Sequence, residues 1–367
     1  MKLTGTSLLV VAALLVGLAA PPADGCTTFL LNDGRRFVFG KNYDWDVRSG
    51  MLIVNQRGMA KVSVADSGGN PARWTSRYGS VTFNQFGREF PMGGMNEVGL
   101  VVEVMWLEAT VYPAADHRAT LDNLQWIQYQ LDTATTVDDV LASDDRVRIV
   151  DGAPLHYLVA DATGKVATVE FLGGRMVAHT GSSLPVAALT NSTYDGSLAY
   201  YERWPQGLGS TTSLDRFVTA AARTLAFADE LPADALAYAF GTLSLVAQPS
   251  YTRWSIVYEI TERRVHFRTD RLPAIRSLDI TGLDFACKGP VRVLDLGTPV
   301  SGDIFGHLVP YTLEHNCSLI EFAFRNVPFL QGTPQSVLEE QALYPESTLC
   351  VGLPRIRRPS GRIGGRP

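Results

Sequence analysis

Histidine is scarce in this chain, six residues in 367, with neither a His-x-x-x-His spacing nor a zinc-like grouping with cysteine. A zinc site of the helical or finger type is therefore not expected. There is no Gly-x-Ser-x-Gly elbow and no Gly-x-x-x-x-Gly-Lys loop, which removes serine α/β-hydrolase and P-loop phosphate chemistry. Charge is sparse and slightly acidic, 19% of residues with a net of −5, so the body has no basic surface for nucleic acid. The stretch Asp44 to Gly50 spaces two aspartates like the start of a calcium loop. Arg48 then falls on the fifth ligand position and the glycine at the sixth is missing, so the pattern fails. No internal repeat is visible. Neither a metal nor a cofactor is expected.

Long apolar runs are lacking too: Leu8 to Ala20 spans only about thirteen residues, too short to cross a bilayer. With Lys2 before it and Ala23-Asp24-Gly25 after it, the run reads as a secretory signal peptide over residues 1–25. Cleavage would make Cys26 the first residue of the mature chain, in the periplasm or secreted. A terminal cysteine combines a nucleophile and a base, because a free α-amine titrates near ~7.7 to 8.0 while a thiolate is the reactive sulfur form. Two other readings compete. Cys26 could be a lipid anchor, making the protein an envelope binding protein, although Ala23 and Asp24 occupy the cleavage region. It could also be a structural cysteine paired with Cys287, Cys317 or Cys350.

The residues after Cys26 favour chemistry. Cys26 to Leu31 reads as a strand, Asn32-Asp33-Gly34 as a turn, and Arg36 to Lys41 as a returning strand. The hairpin brings Lys41, Asn42, Tyr43 and Asp44 beside the cysteine. A cation there favours thiolate, and a carboxylate can hold the amine.

Further along lie Trp74 to Val81, Gly94-Met-Asn-Glu-Val-Gly-Leu100, Thr190-Asn191-Ser192, Asp215-Arg216-Phe217-Val218 and Thr252-Arg253-Trp254-Ser255. In this order behind Cys26-Thr-Thr and Asp44, over roughly residues 26–270, they resemble the choloylglycine hydrolases and penicillin V acylases. These are N-terminal nucleophile hydrolases that cut linear amide C–N bonds. The resemblance implies Cys26 as nucleophile and, through its amine, general base, with Asp44 orienting that amine. It implies Asn191 and the Trp106 backbone N–H as oxyanion donors, and Arg216 as a cation near the thiol. Lys41 stands where well-known members carry arginine, keeping the charge but losing the planar fork. Trp106 departs from the asparagine of many bile-salt hydrolases, which weighs against bile salts. On the residues alone, Asp44 could close a turn, Arg216 could lie on an exposed helix face, and Asn191 could be a turn residue or a glycosylation acceptor.

After the early strands, helices are expected over about Thr120 to Ala134, from Thr136, over Leu214 to Phe227 and over Pro232 to Leu243. Strands are expected over Leu155 to Ala160, Val166 to Leu172, Arg175 to His179, Trp254 to Ile260 and Arg264 to Arg268. This order suits two packed sheets flanked by helices. The resemblance makes it an α+β fold, the four-layer αββα N-terminal nucleophile hydrolase sandwich. A single domain over 26–350 is expected, with 272–350 wrapping it and 351–367 a disordered basic tail. The expected function is a secreted cysteine amidase acting on a small N-acyl amide through a thioester. The acyl group would be apolar, held by Tyr43, Trp45, Met51, Met105 and Trp106, with penicillin V or N-acyl homoserine lactones as substrates. N-acylethanolamine or ceramide-type amidase and bile-salt hydrolase are the alternatives. A homo-oligomer is compatible with the sequence.

Overall fold

The computed structural model describes residues 25–65, 70–150 and 152–352; all but Gly25 of the signal-peptide reading (1–25) and all but Val351 and Gly352 of the tail reading (351–367) lie outside them. The chain opens with a hairpin of β1 (Thr27–Asn32) and β2 (Phe37–Asp44). Its turn is set by short polar side chains: Asn32 Oδ1 accepts from Gly34 N at 2.7 Å, Asp33 Oδ1 from Arg36 N at 2.7 Å, and Gly34 takes φ +84°. Strand β2 runs three residues past Lys41, so Asp44 ends a strand. Gly40 leaves room for Phe29, its register partner, whose ring a Cβ there would meet at 2.3 Å.

Next come β3 (Met51–Asn55), β4 (Met59–Val62), β5 (Arg73–Thr75), β6 (Ser80–Asn84), β7 (Pro91–Asn96), β8 (Val101–Trp106) and β9 (Ala119–Leu121). Helix α1 (Asn123–Thr133) starts where Asp122 accepts from the Leu124 and Gln125 amides, and α2 (Val137–Ala142) starts on a Thr136–Asp139 capping box. They precede β10 (Val147–Ile149), β11 (Leu155–Ala160), β12 (Val166–Leu172), β13 (Arg175–Thr180) and β14 (Ala188–Leu189). Three helices follow, α3 (Tyr194–Arg203), α4 (Ser213–Glu230) and α5 (Ala235–Leu245). Then come β15 (Thr252–Glu259), β16 (Arg264–Thr269), β17 (Arg276–Asp279), β18 (Arg292–Asp295), β19 (Gly302–Asp303) and β20 (Val309–Pro310). The described chain ends with α6 (Leu313–Asn326), α7 (Gln335–Leu343) and β21 (Leu349–Cys350).

Of the two large sheets, one has the order β14-β1-β2-β15-β16-β17-β19 and the other β13-β12-β11-β8-β7-β6-β3-β18-β20; β10-β9 and β21-β4-β5 form two small ones. The inner faces of the two large sheets share one apolar core; α4 and α5 cover the first sheet and α1 and α2 the second. This is the four-layer α+β sandwich. The C-terminal stretch does more than wrap the outside: β17 and β19 extend the first sheet, while β18 and β20 extend the second. Cys287 and Cys350 form a disulfide that links the two ends of the segment between them, leaving Cys317 free and exposed.

Candidate active site

Cys26 sits one residue before β1, 6% exposed; the β1–β2 register, in which Thr27 faces Asn42, extends to set it opposite Tyr43 and next to Asp44. Its thiol lies 4.0 Å from the Asp44 carbonyl oxygen. Burial pushes the Cys26 thiol above its ordinary value; Lys41 opposes this most strongly, Asp44 adds to it, and Arg216 opposes it more weakly. Asp44 is 1% exposed. One carboxylate oxygen accepts from Thr252 Oγ1 and the other from Gln248 Nε2 at 3.1 Å. Burial nevertheless raises its carboxyl to about 6, against the pull of Thr252, Arg216, Gln248 and Lys41. A buried carboxylate this poorly compensated is stabilised by a further cation, which a free amine at position 26 would supply. Gln248 Nε2 also donates to the Gly25 carbonyl at 3.0 Å, and a Cβ on Gly25 would collide with the Asn191 side chain at 2.3 Å.

Asn191 is held on every side. Its backbone N–H donates to Ser213 Oγ at 2.9 Å, its Oδ1 accepts from Arg216 Nη2 at 2.9 Å, and its Nδ2 donates to the Trp106 carbonyl at 2.9 Å. Arg216 faces inward, 2% exposed, and also donates to Thr27 Oγ1 at 3.2 Å and the Thr211 carbonyl at 2.6 Å. Beneath the loop, buried His156 contacts Thr190 O at 2.7 Å and Glu170 Oε1 at 3.1 Å, while Glu170 accepts from Tyr194 N. An antiparallel ladder alternates the direction of successive N–H groups. Leu107 N–H bonds to Pro154 O, so the Trp106 N–H points away from β11, past the last β7 pairing at Glu103.

Lys41 is fully buried, its Nζ donating to the Val104 carbonyl and lying 3.8 Å from Glu103 Oε2. Glu103 accepts from Tyr258 OH at 2.5 Å, and burial lifts its carboxyl to about 7 despite Lys41. Gly93 makes this possible, since a Cβ there would overlap the Glu103 carboxylate at 2.2 Å.

The expected acyl-pocket residues divide. Trp45 and Trp106 are half-buried with ring centroids 6.2 Å apart, and Phe329 joins them at 6.2 and 5.7 Å. Tyr43 lies deeper, stacked on Trp254 at 4.3 Å with its hydroxyl donating to Gln85 Oε1. Met105 is buried with its sulfur 3.2 Å from Thr28 Oγ1. Met51 is a correction: alternation along β3 turns it with Ile53 into a separate core formed with Val291, Val293 and Leu319, away from the aromatic mouth. The sequence reading assigned no part to Gln248, Glu103, His156, Glu170 or Phe329. Among the described residues a cavity of about 730 Å³ lined by Arg73, Arg77, Tyr78 and Arg146 shares no residue with this site.

Two stacked sheets between helical layers, with a cysteine opening an inner strand, define the class: an N-terminal nucleophile hydrolase fold. The family model for linear amide C–N hydrolases, choloylglycine hydrolase family, matches residues 26–222, and the chain belongs to that family. It is 29% identical over 356 residues to penicillin V acylase of Pectobacterium atrosepticum, spanning 81% of this chain and 93% of that protein. The structure of penicillin V acylase from Agrobacterium tumefaciens superposes with TM-score 0.69 at 30% identity, covering 78% of this chain and 98% of that one. A variant of conjugated bile acid hydrolase from Clostridium perfringens shares the fold, with TM-score 0.65 at 18% identity over 75% of this chain and 98% of its own. The protein is a linear amide C–N hydrolase of this type.

Proposed function

We propose that this chain is a secreted or periplasmic cysteine amidase that removes an apolar acyl group from an N-acyl amide through a thioester on Cys26. The carrying observation is the convergence on buried Cys26 of Asp44, held by Thr252 and Gln248, and of Asn191, held by Arg216. Once residues 1–25 are removed, the Cys26 amine takes the thiol proton and the sulfur attacks the acyl carbon. Asn191 Nδ2 carries two hydrogens; Trp106 O takes one, and the other, with the Trp106 N–H, serves the oxyanion. The C–N bond then breaks, the leaving amine takes the proton, and water releases the acid from the thioester. Arg216 is a positioning residue in this scheme, fixing which way the Asn191 amide points.

The half-buried indoles of Trp45 and Trp106 support an aromatic or long-chain acyl group. Penicillin V and long-chain N-acyl homoserine lactones are the proposed substrates. Glycocholate and taurocholate are expected to be at least about tenfold poorer in kcat/KM, about 1.4 kcal/mol in transition-state binding. Side-by-side specificity constants, with Cys26→Ser as the inactive control, test this. Residual turnover near wild type in Cys26→Ser removes the nucleophile; a preference for glycocholate removes the pocket argument. Asn191→Ala is expected to lower kcat about a hundredfold with KM retained. A raised KM at unchanged kcat makes it a substrate-positioning residue instead.

A further inference from the structure

Phe329 is 56% exposed, a large cost for an aromatic side chain with nothing over it, yet its ring meets both indoles at the site: Trp106 at 5.7 Å and Trp45 at 6.2 Å. It comes from the C-terminal extension, beyond the residues 26–222 that match the family. Its placement is built rather than incidental. It lies in a short turn, Pro328–Leu330, directly after α6, and Val327 before it is fully buried. Leu330 after it packs on the main core. Arg325 clamps the far side of the turn, donating to the carbonyls of Gln331 and Thr333 at 3.0 Å each. The extension is docked in turn by Asn316, which accepts from Arg88 N at 2.9 Å, and by the Phe86–Phe324 ring contact at 5.7 Å. A rigid support thus presents one exposed ring to two half-buried ones.

We infer that Phe329 is the third wall of the acyl pocket and a specificity-determining residue, which selects aromatic or long apolar acyl groups by closing over the part of the chain farthest from the scissile carbonyl. The inference rests on the amidase reading above for its reaction, but not for its binding surface. On this inference a short acyl group would end before the ring triangle, whereas a phenoxyacetyl or decanoyl group would reach it. Phe329 therefore acts on substrate binding and leaves the chemical step alone.

The test uses the mature full chain and three amides sharing one chromogenic amine, carrying phenoxyacetyl, decanoyl and acetyl groups. Phe329→Ala is expected to raise KM for the phenoxyacetyl and decanoyl amides about fivefold to tenfold, with kcat within about twofold and the acetyl amide unchanged. Phe329→Trp restores the lower KM. Phe322→Ala, which removes another half-exposed ring from α6, changes neither. Thermal melting of each variant should stay at the wild-type value. Phenoxyacetate binding, followed by quenching of tryptophan fluorescence, gives a readout independent of turnover and should weaken in Phe329→Ala. Unchanged KM and unchanged phenoxyacetate binding in a folded Phe329→Ala overturn the inference, as does an equal loss on all three amides. Should wild type bind phenoxyacetate in a Phe329-dependent way and hydrolyse none of the amides, the amidase substrate reading falls and the pocket wall stands.

Discussion

Among the described residues two lysines are buried, and they are compensated in different ways. Lys61, on β4, places Nζ 2.5 Å from Glu89 and 2.8 Å from Asp132. Those carboxylates are themselves held: Trp74 Nε1 and Gln128 Nε2 each donate to Asp132 at 2.8 Å, and Arg88 lies 3.6 Å from Glu89. The ammonium is pushed above its ordinary value, because the attraction of the two carboxylates exceeds the effect of burial. Lys41, on β2, has one carboxylate at 3.8 Å, and that group, Glu103, is held up to about 7 by burial. Near neutral pH, Glu103 is therefore only partly ionised. The Lys41 charge is left partly uncompensated beside Cys26, where it is the main influence lowering the thiol. The same side chain is spent once on holding β4, α1 and the β6–β7 turn together, and once on a field at the proposed nucleophile. Two close carboxylates mark the structural lysine; a single, more distant one marks the lysine near the proposed nucleophile.

The two lysines are expected to differ most in their effect on stability. Lys61→Met leaves two buried carboxylates without their shared partner, and a loss of about 3–5 kcal/mol in unfolding free energy is expected by urea denaturation. A loss below about 1 kcal/mol would contradict a structural role for the Lys61 ion pairs. Glu103→Gln acts through pH. The folded carboxyl holds its proton to about 7, while the unfolded one releases it near 4.5. Below pH 4.5 both states are protonated and the group adds no penalty. Between 4.5 and 7 the unfolded state loses its proton first, so wild type loses stability relative to Glu103→Gln as pH rises, by up to about 3 kcal/mol. Parallel stability–pH curves for the two proteins would remove Glu103 as the titrating group.

Much of this arrangement was legible where the signal is local. Leu155–Ala160 and Val166–Leu172 were readable to the residue because alternation and turn residues bound them, and Thr136 with Asp139 marks α2 unaided. Cys26, Asp44, Asn191 and Arg216 stand out through short ordered motifs, and the structure places Asp44 beside Cys26 and Arg216 on Asn191. The reading failed where partners are remote: Gln248 meets Asp44 across 204 residues, and only the fold puts them in contact. Helix α7 was missed because Pro334 gives it no side-chain cap and it buries only Leu338 and Ala342. Helix α6 carried a readable signal, Thr312 followed by Leu319, Ile320, Ala323 and Phe324, yet was not among the expected helices. Phe329 could be recognised only once α6 was placed. Met51 was misassigned because proximity in sequence to Asp44 says nothing about which face of the next strand a side chain takes.

The sharpest use of the two lysines is the one with the smallest expected effect. Lys41→Met removes a donor from the Val104 carbonyl, which costs about 1 kcal/mol. It leaves Glu103 able to take up a proton instead of standing as a bare charge, so the large penalty expected at Lys61 should not appear. The effect should fall on the thiol. Without the Lys41 cation, burial acts on Cys26 less opposed, and the pH midpoint of its alkylation by iodoacetamide should move upward, measured in a Cys317→Ser background because that exposed thiol would otherwise react first. At pH 7 kcat/KM for the amide should fall at least about tenfold, mostly in kcat. Lys41→Arg keeps the charge and should retain activity within about threefold of wild type. An unchanged alkylation midpoint in a folded Lys41→Met would mean that the uncompensated charge does not reach the sulfur, and would leave Lys41 as only a donor to Val104.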